Sequence, residues 1–453
     1  MSNIWRMRNR IAEMGCALLI LLAFSPLCAK ADPDDPDRTA FVATRYEVTI
    51  EPNFDARTIA GKETVRIRSQ EEGLRAVTFS ANALLIDTVA AGGRATSARK
   101  DEKQWTIDLP APLARGGEAI LQINYHGAPT RGVTFDGMSV YTSYFACDWM
   151  FCNEDRPGEK APISLTLVVP QGATTVGPGA SRSIKRLSAG RQAQTWHTEQ
   201  PYSSYLYGFA AGAFRSAVEQ HGRTEFDYFA ADGASGDLKA LFSATGAMFD
   251  FLQARAGVPF PWPRYAQVLI PGGDAQEAVR FAIVGVDEIS PTLTDPTDDW
   301  VILHELAHQW WGNLITCKSW RELWLNEGVA TYLVAAWKEY RWGRLAYDAE
   351  MEIARRRVDV AAKAGFDKPL AYAGKYPSLG IRRNIQYFKA ELFLDALRSQ
   401  LGDETFWQGF RVYTQKHAGG VVESRDFQQA MEEVSGRDLS QVFNKWVYDA
   451  GAH

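Results

Sequence analysis

The chain has 453 residues, 46% of them hydrophobic and 23% charged, with a formal net charge of −5 at pH 7. That length is ample for two or three domains with a large core. A mildly acidic chain in which 12% of residues are Phe, Trp or Tyr offers no footing for nucleic-acid binding.

Arg6, Arg8 and Arg10 form a basic start, and residues 15–24 (GCALLILLAF) are an apolar run of signal-peptide length, too short to span a bilayer comfortably. Ala29-Lys30-Ala31 then offers an A-x-A cleavage site ahead of Asp32. Residues 1–31 are therefore expected to be a signal peptide, with export to a bacterial periplasm or beyond. An uncleaved anchor is the alternative; Pro26 and the small residues near it argue against that. Ser25-Pro26-Leu27 fits a lipobox before Cys28 poorly. Removing Arg6, Arg8, Arg10, Lys30 and Glu13 with the leader takes the formal charge from −5 to −8. Nothing later in the chain approaches the roughly 18 consecutive apolar residues of a membrane span, so no span is expected after the leader is removed.

An acidic, Pro-rich lead (Asp32 to Arg38) precedes a long run of strand patterns over residues 41–220. Residues 46–50, 64–68, 77–79, 105–109, 119–125 and 163–169 alternate or run apolar between Gly, Pro and Asp breaks. A β-sandwich-like domain is expected over residues 32–221. Cys147 and Cys152 lie within it, and in an oxidising compartment they could pair. The alternative is two small buried thiols, because a five-residue spacing does not guarantee disulfide geometry.

From residue 222 the period changes to helical. Residues 241–256, 300–312, 326–340, 347–364, 384–401, 424–435 and 439–448 carry helix patterns, and residues 259–271 supply a strand or two. Ser424 reads as an N-cap, with Gly402 and Gly436 as stops. The fold class is multidomain α+β, with residues 222–453 as the second, mostly helical domain.

Within the 300–312 helix the chain reads His304-Glu305-Leu306-Ala307-His308, and nineteen positions after His308 stands Glu327, at the start of the next helix. Positions i and i+4 of a helix share a face, so the two imidazoles can converge on one metal ion. A carboxylate from a second helix completes a three-ligand site with a fourth position open to water, the arrangement of a catalytic zinc. Glu305 stands beside that water as the candidate general base. The competing reading is an amphipathic helix with a solvated His/Glu edge. Val301, Ile302, Leu303, Leu306, Ala307, Trp310 and Trp311 leave little room for a solvated edge, and buried ionisable groups need a partner or a metal.

The stretch from His304 to Leu333, HELAHQWWGNLITCKSWRELWLNEGVATYL, resembles the signature of the gluzincin aminopeptidases, the aminopeptidase N-like family that includes the leukotriene hydrolases. The resemblance implies a thermolysin-like catalytic domain behind an N-terminal saddle-shaped β domain. It implies one Zn2+ per chain on His304, His308 and Glu327, Glu305 as base, and peptides as substrates. Tyr387-Phe388-Lys389-Ala390 stands sixty residues past Glu327, where the family has Y-x-K-G, and Tyr387 is thereby expected to hydrogen-bond the oxyanion. A core aromatic is the alternative for an isolated tyrosine.

By the same resemblance the carboxylate for the substrate's free amine comes from a strand before the zinc helix. Glu277, 27 residues before His304, aligns with it, although its surroundings (Asp274, Gln276, Ala278) depart from the family pattern. Glu288, 16 residues before His304, is a second register, and an exposed acid on an edge strand is the competing reading of Glu277. Asp155-Arg156-Pro157 and Ser204-Tyr205-Leu206 also resemble the family's β domain, whereas residues 140–146 do not match its substrate-subsite segment. Cys317 is expected to stay reduced. Larger members continue past the point matching His453, so a two-domain form with an open cleft is expected, with a channel closed by a dimer partner as the alternative and the oligomeric state left open. A zinc endopeptidase or epoxide-opening enzyme, or a non-catalytic peptide-binding protein, are the other function classes.

Overall fold

The computed structural model describes residues 39–448. The expected leader and its cleavage site lie outside these residues. The described residues form one compact unit.

The first half is built on an eight-stranded sheet in the spatial order 180–186, 191–197, 163–170, 41–53, 58–69, 118–127, 85–91 and 94–95. All six predicted strands are present, four of them in this sheet and two (within 74–80 and 104–113) in a three-stranded sheet. The period-two pattern explains the layering. In Thr58–Ser69 every second residue from Ile59 to Ser69 is buried, while Ala60, Lys62, Arg66 and Arg68 face out. Ile59, Val65 and Ile67 thus share one apolar core with Val77, Phe79 and Ile107 of the smaller sheet. A side chain of this size contributes about 1.5–3 kcal/mol when fully buried. Cys147 and Cys152 are joined, with Cα atoms 5.0 Å apart, which resolves that open choice in favour of the disulfide.

A five-stranded sheet opens the second half, in the order 215–221, 224–230, 264–270, 281–285 and 275–278. Strands 215–221 and 224–230 pair as a hairpin, so the change of sequence pattern at residue 222 falls in that hairpin's turn. The edge strand Ala275–Ala278 runs antiparallel to Phe281–Gly285 and carries Glu277. Against this sheet pack helices Thr245–Ala256, Trp300–Ala307, Glu327–Trp342, Arg344–Lys363, Ala390–Leu401, Asp403–His417 and Ser424–Ser435, which share a second large core.

Three expectations need correction. The helix expected over 300–312 ends at Ala307, where the chain bends so that Asn313 N–H donates to the His308 carbonyl at 2.9 Å. Glu423, not Ser424, is the N-cap of the 424–435 helix; Glu423 N–H donates to Asp426 Oδ2 at 2.7 Å, and Ser424 N–H donates to buried Glu322 at 3.0 Å. Asp403–His417 is a helix that no predicted element covered. Its aromatics at 406, 407, 410 and 413 have helical spacing, and Gly409 sits where an added Cβ would meet the Met431 side chain. The glycine lets two helices touch, yet in a sequence it reads as a break.

Candidate active site

Helix Trp300–Ala307 runs through the interior, and its apolar residues from Val301 to Ala307 are buried on all sides. His304 and His308 project from one face, as a four-residue spacing requires. Their Nε2 atoms approach to 3.1 Å, and each lies 3.3 Å from Glu327 Oε2. One ligand atom from each of the three lies within 4.8 Å of the others. The early helix end has a purpose here. Trp311 turns back so that its carbonyl accepts from His308 Nδ1 at 2.9 Å, which orients the ring with Nε2 facing the cluster.

Glu327 opens the second helix. Asn326, just before it, is held by two bonds: Cys317 N–H donates to its Oδ1 at 3.1 Å, and its Nδ2 donates to Tyr205 Oη at 3.0 Å. Cys317 is buried and unpaired, as expected. Tyr205 also hydrogen-bonds the Glu277 carboxylate.

Glu277 is only 7% exposed, which excludes the reading of a solvated edge-strand acid. Gln309 Nε2 and Asn313 Nδ2 both donate to the Ala278 carbonyl, at 3.0 and 2.9 Å, and clamp the end of its strand beside the zinc-motif helix. Glu277, Glu305 and Glu327 therefore act on His308 together. Glu288, in the second register, lies on the short helix Val286–Ile289 and is only partly buried.

The electrostatics follow from three carboxylates in one dry pocket. Burial pushes Glu305 well above the usual carboxylate range, with Glu277 and Glu327 adding to the rise and His308 opposing it. Burial likewise lifts Glu277 to about 7. For Glu327 burial works in the same sense, but the fields and hydrogen bonds of His308 and His304 outweigh it and hold the group low. Burial opposes charge on His308 too, yet the surrounding carboxylates raise it to about 10. A divalent cation in this pocket would favour the ionised forms of the carboxylates that burial raises. Two imidazole nitrogens and one carboxylate are the donor set of a catalytic zinc, so the residues present fit that ion.

Tyr387 stacks parallel to the His304 ring, with centroids 6.2 Å apart and planes 10° from parallel, and its hydroxyl hydrogen-bonds Glu327. It sits in a π-helical turn, Asn384–Lys389, between helices Leu379–Arg383 and Ala390–Leu401. Lys389, which follows it, does not face the cluster; it is buried and bonds Asp367 Oδ1 at 2.5 Å.

Sequence reading passed over Tyr144. It has φ +59°, its hydroxyl donates to the Ala275 carbonyl at 2.7 Å, and its N–H is bonded to Gln276, so it braces the strand of Glu277 from the first half of the chain. Glu305 and Arg383 are among the charges acting on it, which places it at the cleft. Residues 140–146 carried no pattern that announced this.

Comparison with known proteins agrees with the geometry. Residues 241–446 match the Peptidase family M1 domain, and residues 42–206 match the Peptidase M1 N-terminal domain. Aminopeptidase 2 of Candida albicans is 23% identical over 443 residues, covering 90% of this chain and 47% of that protein. The alanine/arginine aminopeptidase of Saccharomyces cerevisiae is 25% identical over 447 residues, covering 90% of this chain and 51% of its own length. The chain thus spans about half the length of these curated relatives. The crystal structure of an M1 zinc metallopeptidase from Deinococcus radiodurans shares the fold with a TM-score of 0.75 at 22% identity, covering 91% of this chain and 95% of that one.

Proposed function

This chain belongs to the peptidase M1 family, and from that premise we propose that it is a zinc-dependent aminopeptidase that releases N-terminal residues from peptides. One observation carries the proposal: Glu277, a buried carboxylate on the edge strand, shares a pocket with His304, Glu305, His308 and Glu327.

His304, His308 and Glu327 would hold the zinc ion, which when bound polarises the scissile carbonyl and acidifies water. Glu305 takes a proton from the attacking water and returns it to the departing amine, a task for a carboxylate whose proton affinity is raised by burial. Tyr387 donates a hydrogen bond from its hydroxyl to the carbonyl oxygen as negative charge develops there. Its phenol is itself pushed well above its ordinary pKa by burial and by Glu327, so it stays a donor through the reaction. Glu277 accepts hydrogen bonds from the substrate's free ammonium group. The amine is thereby fixed at a set distance from the catalytic cluster, and only the first peptide bond can reach Glu305 and Tyr387.

A panel of aminoacyl fluorogenic amides, with and without a chelator, tests the reading, alongside zinc content by mass spectrometry. Turnover of free-amine substrates that the chelator abolishes, with no turnover of N-acetylated ones, is expected. Glu277→Ala should raise KM for the free-amine substrates. Equal turnover of blocked peptides would replace this reading with an endopeptidase. Bound zinc without turnover of any substrate would leave a peptide-binding protein.

Export is part of the proposal. It is supported by the basic start and apolar run at residues 6–24 and by the Cys147–Cys152 disulfide, a bond that persists in oxidising compartments. Among the described residues no helix is long and apolar enough to cross a membrane.

A further inference from the structure

Arg280 follows the edge strand of Glu277 by two residues, but its side chain takes no part in the pocket described above. It is 4% exposed, and its buried Nε–H has no acceptor. Among the described residues its guanidinium forms no salt bridge. A charged group this deep in a protein is ordinarily paired.

The surroundings explain why it is left over. The Arg280 Cζ lies 4.7 Å from the centroid of the Trp196 ring, a cation–π contact that supplies no acceptor for the Nε–H. Asp227 is the acid whose field reaches Arg280, yet Arg264 has already taken both of its oxygens, with Nε and Nη2 at 2.9 and 2.7 Å. Arg264 contacts Glu225 as well. Burial lowers the Arg280 pKa only to about 10, so the group is a cation at neutral pH.

Trp196, Arg264 and Arg280, with Gln194, Trp262 and the Arg264-paired Asp227, line a cavity of about 400 Å3 where the eight-stranded sheet meets the five-stranded one. The backbone adds a third anomaly: Arg280 has φ +77°, in the left-handed region that favours glycine. Strain, desolvation and an unpaired donor thus coincide at one residue beside an interior space. An anion in that space would satisfy the last two. A guanidinium presents its N–H groups in a flat fork that matches the paired oxygens of a carboxylate or phosphate.

We propose that this cavity is a binding site for a small oxoanion, a carboxylate or phosphate group, gripped by the Arg280 guanidinium and flanked by the two tryptophans. The site is separate from the zinc cluster and does not depend on the peptidase reading, because its test needs no substrate.

The test is thermal unfolding of the full chain, titrated with sodium acetate or inorganic phosphate at an ionic strength held constant with sodium chloride. A saturable rise in Tm is expected with at least one of the two, of about 2 °C at ten times Kd. The rise should vanish in Arg280→Gly, which suits the backbone angle, and in Arg280→Gln, which keeps polarity and size should the glycine variant fold poorly. Response to acetate alone or phosphate alone assigns the group. No response to either probe overturns the proposal. So does a rise shared by wild type and variants, which would reflect exclusion of salt from the whole surface.

Discussion

Three carboxylates share one buried pocket, and their immediate neighbours drive them to different states. Glu327 lies between two imidazoles and is held low; Glu305 and Glu277 lack such close imidazole partners and are pushed upward by burial. Identical side chains in different surroundings make an acid/base pair possible at neutral pH. Glu305→Gln should therefore lower kcat by about 100- to 10,000-fold while zinc content stays at one per chain. Steady-state kinetics and metal analysis on one preparation check this. Tyr387→Phe removes only a hydroxyl from a ring that still stacks on His304. It should lower kcat by about 100- to 1,000-fold with little change in KM. The same truncation of a purely structural tyrosine would alter melting temperature rather than turnover.

At the scale of elements, two helices must meet closely enough to bring Tyr387 against Glu327. Gly328 makes that approach possible. A Cβ there would lie 2.3 Å from Ala390 Cβ and 2.9 Å from the Gln386 carbonyl oxygen. Ala390 stands where the family pattern has glycine, and Gly328 across from it supplies the room. Gly328→Ala should force the pair apart, destabilising the chain by about 1–3 kcal/mol. It should also cut kcat/KM at least tenfold, because a misplacement on the order of 1 Å near a reacting centre is costly. The strand Thr58–Ser69 makes a different prediction. Its inward Glu63 accepts from Phe151 N–H at 2.8 Å, but burial raises its pKa from 4.5 to about 8. Between those values the folded protein holds a proton that the unfolded chain has released, so stability falls as pH rises through that window. Glu63→Gln, neutral throughout, should stabilise the protein more at pH 8 than at pH 5, by about 3–4 kcal/mol. Chemical denaturation at the two pH values measures it.

Over the whole molecule, the β half and the helical half are joined by specific polar ties as well as by packing. Lys160, on a short strand of the first half, donates from Nζ to the carbonyls of Leu314 and Gly420 at 3.1 and 2.8 Å, both on the catalytic side. Tyr205 and Tyr144 reach across in the same direction to Asn326 and to the strand of Glu277. The candidate active site is therefore braced from outside its own half of the chain. Lys160→Met strands those carbonyls and should lower stability by about 1–3 kcal/mol, seen as an earlier unfolding midpoint in denaturant.

The His304/His308 pair on one helix face and the predicted strands were legible in the amino-acid sequence because they rest on short-range periodicity, whereas Glu327 was placed beside them by resemblance. An i, i+4 pair shares a helix face wherever that helix lies, and alternation in a strand such as 58–69 reports its buried side. Glu277 could be placed only by alignment, since one acid on an edge strand has no periodic signature. Its burial, the clamp from Gln309 and Asn313, and the bond from Tyr205 are contacts between segments far apart in the chain. The π turn under Tyr387, the helix around Gly409 and the unpaired Arg280 are likewise consequences of how elements press on one another. Local sequence determines which side chains share a face; only long-range packing decides which faces meet, because that choice depends on shape and charge contributed by distant parts of the chain.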